Sequence, residues 1–222
     1  MSEYSLTRLP GMPSVPNVRR RRVAALAPDD RRAELISATI PLLRERGLDV
    51  STKQIAEAAG VAEGTIFGVF RDKNTLLAAA VMHALNPTPT LDAIAGIAPS
   101  ADLRTRLTAA ADLIIQRFRD NAELMTAARR LVLATDAFPE ARVYMAAARE
   151  QMQAAVATVI QPDAHRLRES AGGTARLLLL LCGANIHGPY GDPDRLTAAD
   201  MVSLLLDGLL IRTDNHGGPE RC

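Results

Sequence analysis

Between residues 29 and 85, apolar residues recur at helical spacing, and each repeat is bounded by residues that start or stop helices. Ala33, Ile36, Ile40 and Leu43 form a first stripe. It predicts a helix that opens at Asp29 and Asp30, where carboxylates meet free N–H groups, and ends at Gly47. Pro41 lies inside it; because the stripe continues in phase, the pattern predicts a kink rather than a break. Ser51 and Gln54 have capping-box spacing at the start of a second helix, whose apolar face is Ile55 and Ala59. A third helix begins near Ala62 and turns Ile66 and Val69 inward. Asp72 caps a fourth, which runs through Leu76, Leu77, Ala80, Val81 and Leu85 to a stop at Asn86-Pro87.

Pro87, Pro89 and Pro99 then predict a boundary loop, after which the helical repeats lengthen. Leu103, Leu107, Ala110, Ile114 and Phe118 make one stripe; Leu124, Ala128 and Leu131 make a second, closed at residues 136–139. Met145, Ala148, Met152, Ala155 and Val159 make a third, stopped by Pro162. Two strongly apolar helices follow, over residues 165–186 and 197–211, joined by the turn-rich H-G-P-Y-G-D-P-D. Strand formers are scarce, so the expected class is all-α. The expected domains are a disordered arm over residues 1–28, a helix-turn-helix domain over 29–85 and a larger helical domain over 86–222.

The stretch T-K-Q-I-A-E-A-A-G-V-A-E-G-T-I-F-G-V-F, beginning at Thr52, meets the positional demands of two short helices crossing at a tight turn. Ala56 is small where backbones pass closely, Gly60 suits a turn with positive φ, and Val61 tucks that turn into the core. In a helix-turn-helix of this kind the second helix enters the DNA major groove. The alternative for the same residues is an ordinary helical hairpin in a core.

The flanks carry a further likeness. A helix ending at Arg46-Gly47, then I-A-E-A-A-G-V, G-T-I-F and F-R-D-K-N-T-L-L, resembles the N-terminal domain of the Tet repressor family of bacterial transcription regulators over residues 31–85. The resemblance implies that Glu63, Gly64, Thr65 and Gly68 meet bases in double-stranded operator DNA, and that Thr52, Phe67 and Lys73 meet its backbone. It departs from the family's habit at Ala62, usually a capping Ser; at Phe67, usually Tyr; at Val69, often His; and at Gly68, which lacks a side chain. Gly64 and Gly68 lie one turn apart and let the helix sit close to DNA.

Charge adds a second candidate contact. The chain has a net charge of only +1, but residues 1–28 are strongly cationic while residues 29–85 carry a slight excess of acid. Arg19, Arg20, Arg21 and Arg22 therefore suit phosphates or a narrow minor groove; the bland alternative is a solvated tail. The only lysines of the chain, Lys53 and Lys73, both fall in the motif region.

By the resemblance, the longer helices enclose a pocket for a small-molecule effector, with Met125, Arg129, Tyr144, Met145 and Met152 as candidate lining. Plain core is the other account of such a methionine stripe. The leucine run over residues 177–182 is apolar all round, more than one monomer's core needs. With the last helix it predicts a four-helix homodimer interface, through Leu177, Leu181, Met201, Leu205 and Leu209.

Other chemistry is missing from the sequence. The four histidines are isolated, and there is no H-E-x-x-H, nucleophile elbow or Gly-rich phosphate loop, so no catalytic residue, metal or cofactor is expected. With 48% hydrophobic residues the chain has ample core material, yet no apolar run reaches membrane-span length. No secretory signal is evident and the two cysteines offer no disulfide framework, so a cytoplasmic location with no membrane partner is expected. The expected function is a ligand-responsive transcription regulator, a repressor by the family's habit. The alternatives are a ligand-independent architectural DNA binder and a helical interaction module.

Overall fold

A computed structural model describes residues 27–134, 139–184 and 196–209. The regular elements among them are all helical: α1 (Pro28–Arg46), α2 (Thr52–Ala58), α3 (Glu63–Val69), α4 (Lys73–Ala84), α5 (Thr88–Ala95), α6 (Leu103–Asp120), α7 (Ala122–Ala134), α8 (Pro139–Ile160), α9 (Ala171–Ala184) and α10 (Ala198–Leu209). Short 3-10 turns follow α1 and α8. Arg19, Arg20, Arg21 and Arg22, the 187–194 turn and the last residues lie outside the described part of the chain.

The start and stop signals form as the sequence predicts in most places. Ser51 Oγ accepts from the Gln54 N–H at 3.2 Å while Gln54 Oε1 accepts from the Ser51 N–H at 2.8 Å, a complete capping box on α2. Asp72 accepts from the Thr75 N–H at 2.7 Å and its hydroxyl at 2.8 Å, capping α4. The N-terminus of α3 at Ala62 has no side-chain cap. Helix α1 runs through Pro41 unbroken.

Three expectations shift. The buried line of α1 is Leu35, Thr39 and Leu43, with Ile36 and Ile40 only partly covered and Ala33 exposed; Thr39 fits the core because its hydroxyl donates to the Leu35 carbonyl at 2.7 Å. The expected boundary loop contains α5. Pro89 stands in its first turn, where a missing N–H costs nothing, and Ile94 anchors it. Helix α9 opens only at Ala171, because a 3-10 turn over Gln161–Arg166 and an extended Leu167 come first.

Two apolar cores result. One joins α1–α4 with Leu124, Ala127, Ala128 and Leu131 of α7. The other joins α5, α6, α8, α9 and α10. The second stripe of the longer repeats therefore completes the N-terminal core. Helix α4 packs against α1 and also against α7 and α8, so it touches both halves of the molecule.

Candidate nucleic-acid interface and adjoining cavity

The turn between α2 and α3 is held by backbone geometry that only glycine adopts at low cost. Gly60 has φ +65°; its N–H donates to the Glu57 carbonyl at 3.1 Å and the Val61 N–H donates to the Ala56 carbonyl at 2.9 Å. This is a Schellman stop, and it points the chain directly into α3. Ile55, Ala56 and Ile66 are buried beneath the crossing, leaving the opposite face of α3 to solvent.

That outer face has an unusual make-up. Glu63, Gly64, Phe67 and Gly68 are exposed and Thr65 is partly so, with Phe67 54% exposed. Neither Gly64 nor Gly68 has a positive φ, and a Cβ placed on either would meet nothing within 4 Å. The fold gives no internal reason for glycine at either position. What remains is a helix face on which two glycines one turn apart leave room for a large body to come close.

At the edge of this face Thr52 Oγ1 donates to Glu63 Oε1 at 2.5 Å, tying the first turn of α2 to that of α3. Thr52 can thus turn its hydroxyl to a phosphate only by leaving Glu63. Lys73, in the first turn of α4, has no ion-pair or hydrogen-bond partner among the described residues. Beside it, hydrogen bonds from the Thr75 N–H and hydroxyl, with a smaller part from Arg71, hold the Asp72 carboxyl down at about 2. Behind the motif, the Arg32 guanidinium lies 4.3 Å from the centre of the buried Phe70 ring, fastening α1 to the segment between α3 and α4.

A cavity of about 480 Å³ opens where the two cores meet, beneath the end of α4. Four of the five expected lining residues, Met125, Arg129, Met145 and Met152, face it together with Leu85, Ile114 and Phe118. Tyr144 is absent from the wall, although burial raises its phenol and the charge of Arg117 offsets that in part. Sequence reasoning missed Arg117 and Arg149, which also line it. Arg117 is half-buried and donates to the carbonyls of Leu85, at 2.5 Å, and Asn86, at 3.0 Å. It links α6 to the C-terminal end of α4.

The expected dimer face is only partly free. Met201 and Leu205 are buried in the monomer's own core, so the prediction that they meet a partner is corrected. Leu177, Leu181 and Leu209 are partly covered, and the outer faces of the same helices carry Leu180 and Leu204, 48% and 61% exposed. The apolar run of α10 misled because Leu204, Leu205 and Leu206 look alike in sequence, and only packing separates the exposed first from the buried other two.

Burial pushes the Cys182 thiol up to about 12, which leaves it protonated and inert. Among the described residues there is no group of side chains placed to hold a metal ion, and no helix long and apolar enough to cross a membrane.

Comparison with known proteins agrees with this geometry. The family model for bacterial regulatory proteins of the tetR family matches residues 35–80, from α1 into α4. The HTH-type transcriptional regulator BetI of Proteus mirabilis is 30% identical over 184 residues, covering 82% of this chain and 80% of that protein. BetI of Cronobacter sakazakii is 28% identical over 190 residues, covering 85% of this chain and 82% of its own. A solved structure from Mesorhizobium loti, assigned to the TetR family of transcriptional regulators, superposes with a TM-score of 0.65 at 20% identity, covering 84% of this chain and all of the other. At that identity the superposition speaks for the fold alone.

Proposed function

Because the chain belongs to the tetR family of bacterial regulatory proteins, we propose that this DNA-binding transcription regulator is a homodimeric repressor that a small molecule releases from its operator. The observation that carries the DNA contact is the outer face of α3, where two exposed glycines have no role in packing. In this account Gly64, Thr65 and Gly68 lie against base edges, Phe67 packs on the DNA backbone, and Lys73 and Thr52 take phosphates, Thr52 once its hydroxyl leaves Glu63. Arg19, Arg20, Arg21 and Arg22 add sequence-independent phosphate contacts.

The effector site is the cavity beneath α4. A volume of about 480 Å³ suits a drug-sized molecule. Its wall includes Leu85 and is braced to α4 through Arg117, so a ligand there displaces the helix that joins the two cores. Moving α4 in each protomer changes the spacing of the two α3 helices, which must match successive grooves. Dimerisation runs through the outer faces of α9 and α10.

Purified protein incubated with sheared genomic DNA should retain a small set of fragments that share a near-palindromic sequence. Retention of fragments without any common sequence would replace this reading with that of an architectural binder. No retention at all would leave the interaction module.

A further inference from the structure

The charge in the cavity wall is one-sided. Arg117, Arg129 and Arg149 line it, while no Asp or Glu does. The buried Arg106 offers the contrast of a cavity arginine that is neutralised. Arg106, 5% exposed and lining a second cavity of about 280 Å³, donates to Asp163 Oδ2 at 2.6 Å and to the Ala101 carbonyl at 2.5 Å; Arg104 pairs with Asp207 at 3.2 Å. Arg129 and Arg149, both exposed, have no hydrogen-bond or ion-pair partner among the described residues, and the half-buried Arg117 is satisfied only by carbonyls.

The arginines are also placed regularly. Arg117 follows Ile114 by three residues, Arg129 follows Met125 by four and Arg149 follows Met145 by four, so each stands one turn beyond an apolar residue of the same wall. Three helices thus each present an apolar side chain and then a guanidinium. Guanidinium groups bind carboxylates through two parallel hydrogen bonds, and do so best where water is partly excluded. Burial lowers the Arg117 group from its ordinary value, an effect that Tyr144 offsets in part.

We propose that the cavity binds an amphipathic organic acid, its apolar body against Ile114, Phe118, Met125 and Met152 and its carboxylate on the arginines Arg117, Arg129 and Arg149. The carboxylate competes with the Leu85 and Asn86 carbonyls for Arg117, which is how occupancy reaches the end of α4. This rests on the effector-responsive function proposed above and adds the chemical class of the effector.

The test titrates the full-length protein calorimetrically with three probes of equal chain length: decanoate, 1-decanol and decyltrimethylammonium. Decanoate should bind at least about tenfold tighter than decanol, a charged hydrogen bond's worth of affinity, with the cation weakest. Arg129→Gln and Arg149→Gln should each remove most of that preference while leaving decanol affinity unchanged, which a folding defect would not do. Decanol or the cation binding as tightly as decanoate, or none of the three binding, overturns the proposal. Repeating the decanoate titration with operator present separates the two ideas. An arginine-dependent preference that operator leaves unaltered upholds the acid as ligand and refutes its role in release.

Discussion

At the scale of single residues, Gly68 sets stability against DNA binding. A glycine in a helix is roughly 0.5–1 kcal/mol less favourable than alanine, and here a Cβ would stand in open space. Gly68→Ala should therefore stabilise the free protein by up to about 1 kcal/mol, raising its melting temperature by roughly 2–4 °C, and yet weaken operator binding. A variant that is more stable and binds DNA as well as the parent would show that the bare face of α3 does not approach DNA. Thr52 and Glu63 illustrate what residue types alone conceal. Both were legible as candidate contacts, but their mutual hydrogen bond depends on how α2 and α3 cross. Arg117 and Arg149 were equally visible as letters. Their signal, an arginine one turn past an apolar residue on three separate helices, has meaning only once those helices surround one space.

At the scale of elements, local capping chemistry made the helix-turn-helix legible, because the Ser51 box, the Gly60 stop and the Asp72 cap need only neighbouring residues. Asp72 gives this a pH signature. Its carboxyl lies at about 2 in the folded chain, chiefly through the Thr75 N–H, against roughly 3.9 when unfolded. A depressed value means that the charged cap stabilises fully above about pH 4 and that the benefit is lost as pH falls toward 2. Asp72→Ala should cost about 1 kcal/mol at pH 6, measured by urea unfolding, and the gap between variant and parent should narrow at pH 3. A gap that stays constant with pH would mean that the carboxylate is not the stabilising group. Helix α5 and the late start of α9 were less legible. Prolines at 87, 89 and 99 mark a loop or a helix start equally well, and burial of Ile94 decides between them. The joining of α7 to the N-terminal core was out of reach of periodicity, which shows that a helix has an apolar face but not which core receives it.

At the scale of the whole molecule, symmetry and charge should govern DNA binding. Leu204 is 61% exposed on α10, so Leu204→Arg should alter monomer stability by no more than about 0.5 kcal/mol while dissociating the dimer, as light scattering would report. A dimer that survives places the interface elsewhere. The same change at buried Leu205 would unfold the monomer and could not make the distinction. The basic arm acts through counterion release. Each phosphate neutralised adds about 0.9 to the magnitude of the slope of log K against log salt, so deleting residues 1–22 should flatten it by roughly 3–4 per monomer and preserve the ranking of operator variants. A solvated tail would leave the slope unchanged.

These scales meet in one measurement, hydroxyl-radical footprinting of the full-length protein on the fragment it selects from genomic DNA. Two α3 helices related by a dimer axis should protect two matching patches, centred one helical turn of about 10–10.5 bp apart or a multiple of it, with mirror-related sequence beneath them. A single protected patch, or even protection without two-fold symmetry, would contradict a dimeric regulator that reads its operator through α3.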